Sequence, residues 1–268
     1  MTALLLAITL AAAPSHTHKV VSTTVGAKIA AGSWSNTTST RFFGTDDVVR
    51  FGNNLNVNLS NTEWTISAWV RPTDVSAQGY ILAKAAPFAG TPDFNWIVGV
   101  TTASHAFAYW GDVGKTTEGA GAALAVGSFH HVVSTVRDIT GTFTASLWVD
   151  GVQQGSDVTT PGTNSSTVVA GFGGGYVADS PDVLYPYIGY IDEVTIWDAG
   201  MTSAHITTLY NSGVPANPTS HTLAANLTHY YRMGDGDTFP TITDRAGAVN
   251  GTCTNMAGAG TNFTSTVP

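Results

Sequence analysis

The 268 residues include only 10% Asp, Glu, Lys and Arg, with three Glu and four Lys among them, and the formal net charge is −8. Helix surfaces draw on Glu, Lys, Gln and Arg, whereas Asp, Asn, Gly and Pro favour turns and Thr and Val favour strands, so the composition speaks for an all-β chain and against a helical one. The acidic balance, with no basic run, speaks against nucleic-acid or anionic-membrane partners, and the single Cys253 cannot form an intrachain disulfide.

Residues 1–13 form an apolar run ending in Ala-Ala-Ala-Pro. It resembles the end of a secretory signal but lacks a basic start, and it is too short to span a bilayer. We read it as an apolar arm that packs against a partner subunit, with an uncleaved signal as the alternative. Residues 14–37, rich in Ser, Thr, Ala and Gly and carrying His16 and His18, read as an extended linker, so residues 1–37 form an arm and linker. From Thr38 onward period-two alternation dominates. Thr65 to Val70 places Ile66, Ala68 and Val70 on one face and Trp69 on the other. Further strands are predicted at Tyr80–Lys84, Asn95–Val100, His105–Trp110, Phe129–Arg137, Thr144–Val149, Thr167–Gly171 and Tyr187–Trp197. Asp150-Gly151 between two of them signals a type I′ hairpin, which needs positive φ at both central positions. The one helical pattern spans Thr202 to Asn211: Ile206, Leu209 and Tyr210 share a face, Thr202 or Ser203 can cap it, and Gly213 can end it.

Four ordered segments resemble one family: Thr65-Ile66-Ser67-Ala68-Trp69-Val70-Arg71-Pro72 with Ile81-Leu82-Ala83-Lys84; Phe129-His130-His131-Val132-Val133-Ser134 with Leu147-Trp148-Val149-Asp150-Gly151; Gly189-Tyr190-Ile191-Asp192-Glu193-Val194-Thr195-Ile196-Trp197; and the helix closing in Leu209-Tyr210-Asn211-Ser212-Gly213. This is the laminin G-like branch of the concanavalin A-like lectin/glucanase superfamily. Phe129 departs from it, standing where the family usually has Trp. The resemblance implies a two-sheet antiparallel jelly-roll sandwich over residues 38–213 with one short surface helix, and commonly glycan or protein recognition.

Leu227 to Asp237, Asp244 to Gly247 and Asn250 to Thr252 look like the segment that usually opens such a domain, yet here they come last. Residues 214–268 either complete the sandwich, as a permutation would, or begin a truncated second unit; we favour completion, because so short a segment cannot bury its own core. In this order the chain also resembles laminin G-like proteins of tailed-phage virions.

A glucanase of the superfamily needs paired carboxylates flanking the scissile bond. Glu63 and Glu118 read as loop residues, and Glu193 adjoins Asp192, which on a regular strand sends the two side chains to opposite faces. No nucleophile elbow accompanies His130 and His131, which read as ordinary strand residues. The expectation is therefore no enzyme. A surplus of Asp suits calcium, and the resemblance places a structural Ca2+ on Asp192 with Gly44, Thr45 or Asp46 as partners; Asp235-Gly236-Asp237 is a weaker candidate. The alternative is an Asp192 that only hydrogen-bonds its neighbours. His16 and His18 face one way on an extended arm, so three arms on a threefold axis would offer six imidazoles to a transition metal; the alternative is a solvated linker. For a sugar platform the candidates are Trp96, Tyr109, Trp110, Tyr176 and Tyr185, with Tyr187 nearby, while Trp148 and Trp197 are assigned to the sandwich. Gly171 to Gly175 permits close ligand approach or, more simply, a bulge or crossover.

The leading expectation is a non-enzymatic component of a phage particle, located in the virion, joined to other virion proteins or to itself (a homo-oligomer, with a trimer in view) through the arm and binding host-surface glycans. The alternative is an extracellular or cell-surface carbohydrate-binding lectin.

Overall fold

The computed structural model describes residues 34–55, 62–86, 93–110, 116–118, 123–159, 168–176 and 183–268. By contacts the chain divides into Met1–Trp34 and Ser35–Pro268. The apolar run and the His16 and His18 pair lie outside the described residues.

Within Ser35–Pro268, strands numbered along the chain build two sheets whose pairings are all antiparallel. The first runs in the order β10 (Val152–Thr159), β9 (Thr142–Val149), β8 (His130–Ile139), β3 (Trp64–Asp74), β14 (Ile188–Trp197), β1 (Ser39–Phe43) and β18 (Phe263–Thr264), with β15 (Leu227–Tyr231) also on β14. The second runs β16 (Thr241–Ile242), β17 (Gly251–Thr254), β2 (Val48–Arg50), β11 (Ala170–Phe172), β4 (Gly79–Ala86), β5 (Asp93–Val100), β6 (Ala106–Trp110) and β7 (Thr116–Glu118). A ribbon of β12 (Gly175–Tyr176) and β13 (Val183–Leu184) stands beside them.

Alternation makes the sandwich. Along β3, Trp64, Ile66, Ala68 and Val70 join the core with Val132, Leu147, Ile191, Val194, Val98 and Phe172. The Asp150-Gly151 turn has φ of 51° and 77°, as its sequence predicts. The glycine stretch is structural: a Cβ on Gly173, whose φ is 86°, would stand 2.1 Å from the Phe42 ring that fills the core there.

On the outer face of the first sheet, Val133, Trp148 and Trp197 pack beneath Met201, Ile206 and Leu209. The last two belong to α1 (Ser203–Tyr210), which Thr202 caps together with His205. Its end differs from the sequence reading. Asn211, at φ 47°, is the left-handed C-cap that Gly213 was expected to supply, since Asn tolerates this conformation. A second helix of four residues, α2, spans Ala259–Asn262.

The C-terminal strands enter both sheets: β15 on β14, β17 on β2 and β18 on β1. Asp244 pins this segment. Its Oδ1 accepts from the Tyr230, Ala246 and Gly247 N–H groups at 3.1, 3.2 and 2.9 Å, and its Oδ2 accepts from Val249 N–H at 3.1 Å and His229 Nδ1 at 2.7 Å. Burial alone would raise its pKa, but the His229 and backbone hydrogen bonds outweigh burial and hold it at about 2. Asp244→Ala leaves those buried donors unsatisfied and is expected to cost about 3 kcal/mol in denaturant unfolding. The carboxylate's contribution should be fully present above its ordinary pKa and lost as pH falls through about 2.

Candidate functional site

The aromatic candidates separate sharply. Trp96 and Trp110 are 1% and 0% exposed, and they are directly paired across β5 and β6 with both indoles in the core. They are therefore corrected from platform to core. The alternations Trp96, Val98, Val100 and Ala106, Ala108, Trp110 carry the signal that they face inward. Burial of the indole N–H groups is satisfied by Ser134 Oγ at 2.7 Å for Trp110 and by the Leu55 carbonyl at 3.4 Å for Trp96. Tyr187 is likewise buried. Tyr176 closes β12, its backbone paired with Val183.

Tyr185 and Tyr109 belong instead to an aromatic ladder on the outer face of the second sheet. Tyr185 stacks on Tyr80 at 4.5 Å and 22°, Tyr80 meets Phe107 edge-on at 6.1 Å, and Phe107 meets Tyr109 at 5.5 Å and 79°. Tyr80 and Phe107 are buried with Ala83, Ala85 and Ile97; Tyr109 is half-buried and Tyr185 is 45% exposed. Gly99 makes room for the ladder, because a Cβ there would lie 2.4 Å from Phe107. Burial, and then the neighbouring Tyr185 and Tyr109 phenols, raise the Tyr80 hydroxyl's pKa above its ordinary value, so it stays protonated. Tyr185 has φ of 52°. An aromatic residue in the left-handed region costs about 1–3 kcal/mol, which its stack on Tyr80 and the Tyr80 N–H bond to its carbonyl at 2.8 Å help to offset. Sequence reading missed Tyr80 and Phe107, although Tyr80, at the start of its strand, precedes inward-facing Ile81.

The histidines hold structure. His130 Nε2 accepts from Ala125 N–H at 2.9 Å, so Nδ1 carries the proton that is donated to Asp150 Oδ2 at 2.7 Å. His131, 1% exposed, packs against both Trp69 at 5.1 Å and Tyr210 at 6.2 Å, which themselves stack at 5.8 Å. Burial drives its pKa down to about 4, against the opposing pull of Asp150.

Asp192 and Glu193 do not point to opposite faces of a regular strand. A bulge shifts the β14–β3 register between Asp192 and Thr195, and Glu193 has φ of 45°, so both carboxyls are buried in one cluster. Arg232 joins Glu193 Oε1 at 3.2 Å and Asp235 Oδ2 at 2.7 Å and donates to the Ser35 carbonyl at 2.5 Å. Tyr230 OH donates to Glu193 Oε2. Asp192 Oδ1 accepts from Glu193 N–H at 2.9 Å and Oδ2 from Asn36 Nδ2 at 2.8 Å. Burial, reinforced by the Glu193 charge, pushes Asp192 well above the carboxylate range; burial raises Glu193 to about 7, against Tyr230 and Arg232.

This arrangement does not fit the calcium expected on Asp192. Thr40 pairs with Ile191 and Phe43 with Ile188, so Asp192 stands beside the start of β1, whereas Thr45 and Asp46 lie in the turn beyond its far end, past a strand about 13 Å long. Asp46 accepts from the Thr45 hydroxyl at 3.1 Å in that exposed turn. Asp235 is bound by Thr37 and Arg232, and Asp237 by Gly234, Thr243 and Arg245. Asn36 Oδ1 is buried without a hydrogen bond, but with Asp192 it makes a small part of the six to eight oxygens calcium takes. Among the described residues no group of three or more His, Cys, Asp or Glu has metal-holding geometry.

The Laminin_G_3 family model, described as the concanavalin A-like lectin/glucanases superfamily, matches residues 43–207. In three dimensions the chain is similar to a Bacteroides ovatus protein provisionally described as carbohydrate binding, with TM-score 0.57, 16% identity and 83% of this chain covered; the chain spans 59% of that protein. It is also similar to the native heptameric SAP-like pentraxin of Limulus polyphemus, with TM-score 0.51 and 13% identity over 81% of this chain and 95% of that one. No curated protein matches the chain.

Two measurements follow from the buried groups. His131 stays neutral when folded, while the unfolded chain binds a proton below pH about 6.5, so acidification from pH 7 to 4 should cost about 3 kcal/mol through this residue. His131→Phe, which keeps a ring against Trp69 and Tyr210, should lose that much less over the same range by chemical denaturation. Chelator or added calcium is expected to leave the melting temperature of wild type and Asp192→Asn unmoved; a calcium-dependent rise confined to wild type would restore the metal to Asp192.

Proposed function

The chain belongs to the concanavalin A-like lectin/glucanases superfamily, and from that premise we propose that it is a non-catalytic carbohydrate-binding module that contacts sugar through Tyr185 and the aromatic ladder behind it. The observation that carries this reading is Tyr185 itself: 45% exposed, stacked on a buried tyrosine and held in the left-handed region. A ring fixed at the surface offers its face to the C–H groups of a pyranose with little side-chain entropy left to lose. Half-buried Tyr109 ends the same ladder, and the hydroxyl of Tyr185 supplies a polar handle for sugar hydroxyls.

The carboxylates favour binding without hydrolysis. Asp192 and Glu193 are buried and bonded within the fold. Glu63 accepts from Asp138 N–H at 2.9 Å, and Asp138 accepts from Gly141 N–H at 2.7 Å, so each caps backbone at the β8–β9 turn. Glu118 ends strand β7 rather than lying in a loop. The fold likenesses favour a lectin-type module over a virion component, for which they offer no support. No helix among the described residues is long and apolar enough to cross a membrane.

Screening the protein on a glycan array should give binding that Tyr185→Ala weakens at least tenfold, about 1.4 kcal/mol, with an unchanged melting temperature. No reducing sugar should be released from any bound glycan. Undiminished binding by a Tyr185→Ala, Tyr109→Ala double variant would sink the platform, and sugar release would overturn the non-catalytic reading.

A further inference from the structure

The chain holds ten Lys and Arg against 18 Asp and Glu, and the structure shows how several cations are ion-paired or enclosed by oxygens. Arg232 and Arg245 are ion-paired. The ammonium of fully buried Lys84 is held by Asn53 Oδ1, the Asn54 carbonyl and the Val168 carbonyl at 3.1, 3.0 and 2.7 Å. Arg41 and Arg71 differ from these.

They sit on one cross-strand row of the first sheet. Arg41 of β1 pairs with Tyr190 of β14, and Tyr190 pairs with Arg71 of β3. The two guanidinium carbons lie 5.5 and 5.0 Å from the centroid of the same Tyr190 ring, and neither has a carboxylate within ion-pair distance among the described residues. Arg71 uses Nε to donate to the Gly127 carbonyl at 2.7 Å, which orients the guanidinium while its terminal nitrogens remain available. Arg41 also covers the ring of Phe43 at 4.2 Å, and Phe129 lies 6.2 Å from Tyr190. Phe43 is 42% exposed, while Arg41, Arg71 and Phe129 are half-buried.

Topology explains why this row is open. Alternation puts Arg71, Trp69, Tyr190 and Trp197 on the outer face of the sheet, and the packing of α1 covers the part around Trp197, Trp148 and Trp69. The row with Arg71, Tyr190 and Arg41 lies one step beyond Trp69, outside that cover. Two like charges on the strands that flank β14, about 10 Å apart, repel each other. The π face of Tyr190 stabilises each, but it brings no negative charge to the pair.

We propose that Arg41 and Arg71, bracketing Tyr190 beside the exposed Phe43 ring, bind the carboxylate of an acidic sugar such as a hexuronate. This deepens the carbohydrate reading above and rests on it, at a second face of the sandwich. The carboxylate meets guanidinium donors, whose planar forks suit its two oxygens, and the sugar ring packs on Phe43. The net charge of −8 does not prevent this, since at physiological salt fields fade over about 8 Å and the contact is local. The same net charge favours a short acidic sugar over a long polyanion.

The test is calorimetric titration of the full chain with trigalacturonate and with its methyl ester, which keeps the sugar and removes the charge. Wild type should bind the acid at least tenfold more tightly than the ester, with affinity falling as salt rises. Arg41→Gln with Arg71→Gln should abolish that preference and its salt dependence while the melting temperature holds. Equal affinity for acid and ester, or an unchanged preference in the double variant, would overturn the proposal. So would equally tight binding of galactose 6-sulfate lost in the same variant, which would mark a general anion site. If neutral glycans bind through Tyr185 but trigalacturonate does not, this proposal alone fails; if no saccharide binds wild type, the carbohydrate reading fails with it.

Discussion

Strand β14 has one edge against β3 and must share the other between the two ends of the chain, and the closure of the sandwich depends on that division. Ile188 to Ile191 pair with β1, and Val194 to Trp197 pair with β15, more than 150 residues away from β1 in sequence. Asp192 and Glu193 fall between, where neither partner continues. The bulge at Glu193 turns both carboxyls into the gap, and Arg232, one residue past β15, reaches back to Glu193, Asp235 and the Ser35 carbonyl. Thr37 N–H, just before β1, donates to Asp235 at 2.9 Å, so the incoming and returning segments are tied through one guanidinium.

Such a junction is electrostatically demanding. Two acidic side chains, Glu193 and Asp235, share one arginine while a third, Asp192, is buried beside them, and isolated buried charges cost several kcal/mol each. Relief comes through proton uptake: burial moves Asp192 well upward and brings Glu193 to about 7, so the cluster sheds part of its negative charge near neutrality. A site organised this way locks the chain together and leaves few oxygens for a hard cation. The same residues that the family resemblance marks for a ligand therefore serve closure.

With that junction tied, the outer faces are where rings meet solvent. On one sheet α1 and the tryptophans beneath it leave the arginine row uncovered; on the other, the ladder from Tyr185 to Tyr109 lies over small residues, Ala83 and Ala85. Both faces use rings supported by buried neighbours, which is how a rigid sandwich turns packing into a surface of fixed shape. Function of this kind belongs to the sites and is not dictated by the fold.

Much of the fold was legible. The strands from Trp64 to Trp197, the Asp150-Gly151 turn and the Thr202 cap rest on local rules, namely period-two alternation, positive φ and side-chain capping, which act within a few residues. The site was less legible, and the reasons are specific. Trp96 and Trp110 read as exposed from sequence because both stand beside loop-forming stretches, yet the register of β5 with β6 brings both indoles inward. The separation of Asp192 and Glu193 was argued from regular pleating, which a one-residue bulge cancels. Lys84 looked like any strand lysine, and only loops distant in sequence reveal the oxygens that enclose it. By itself the sequence determined an all-β sandwich, its turns and its helix, because those depend on neighbours along the chain. Which aromatic faces water, which carboxylates share a cavity and which arginines stand together were decided by tertiary structure, because they depend on the register of strands distant in sequence.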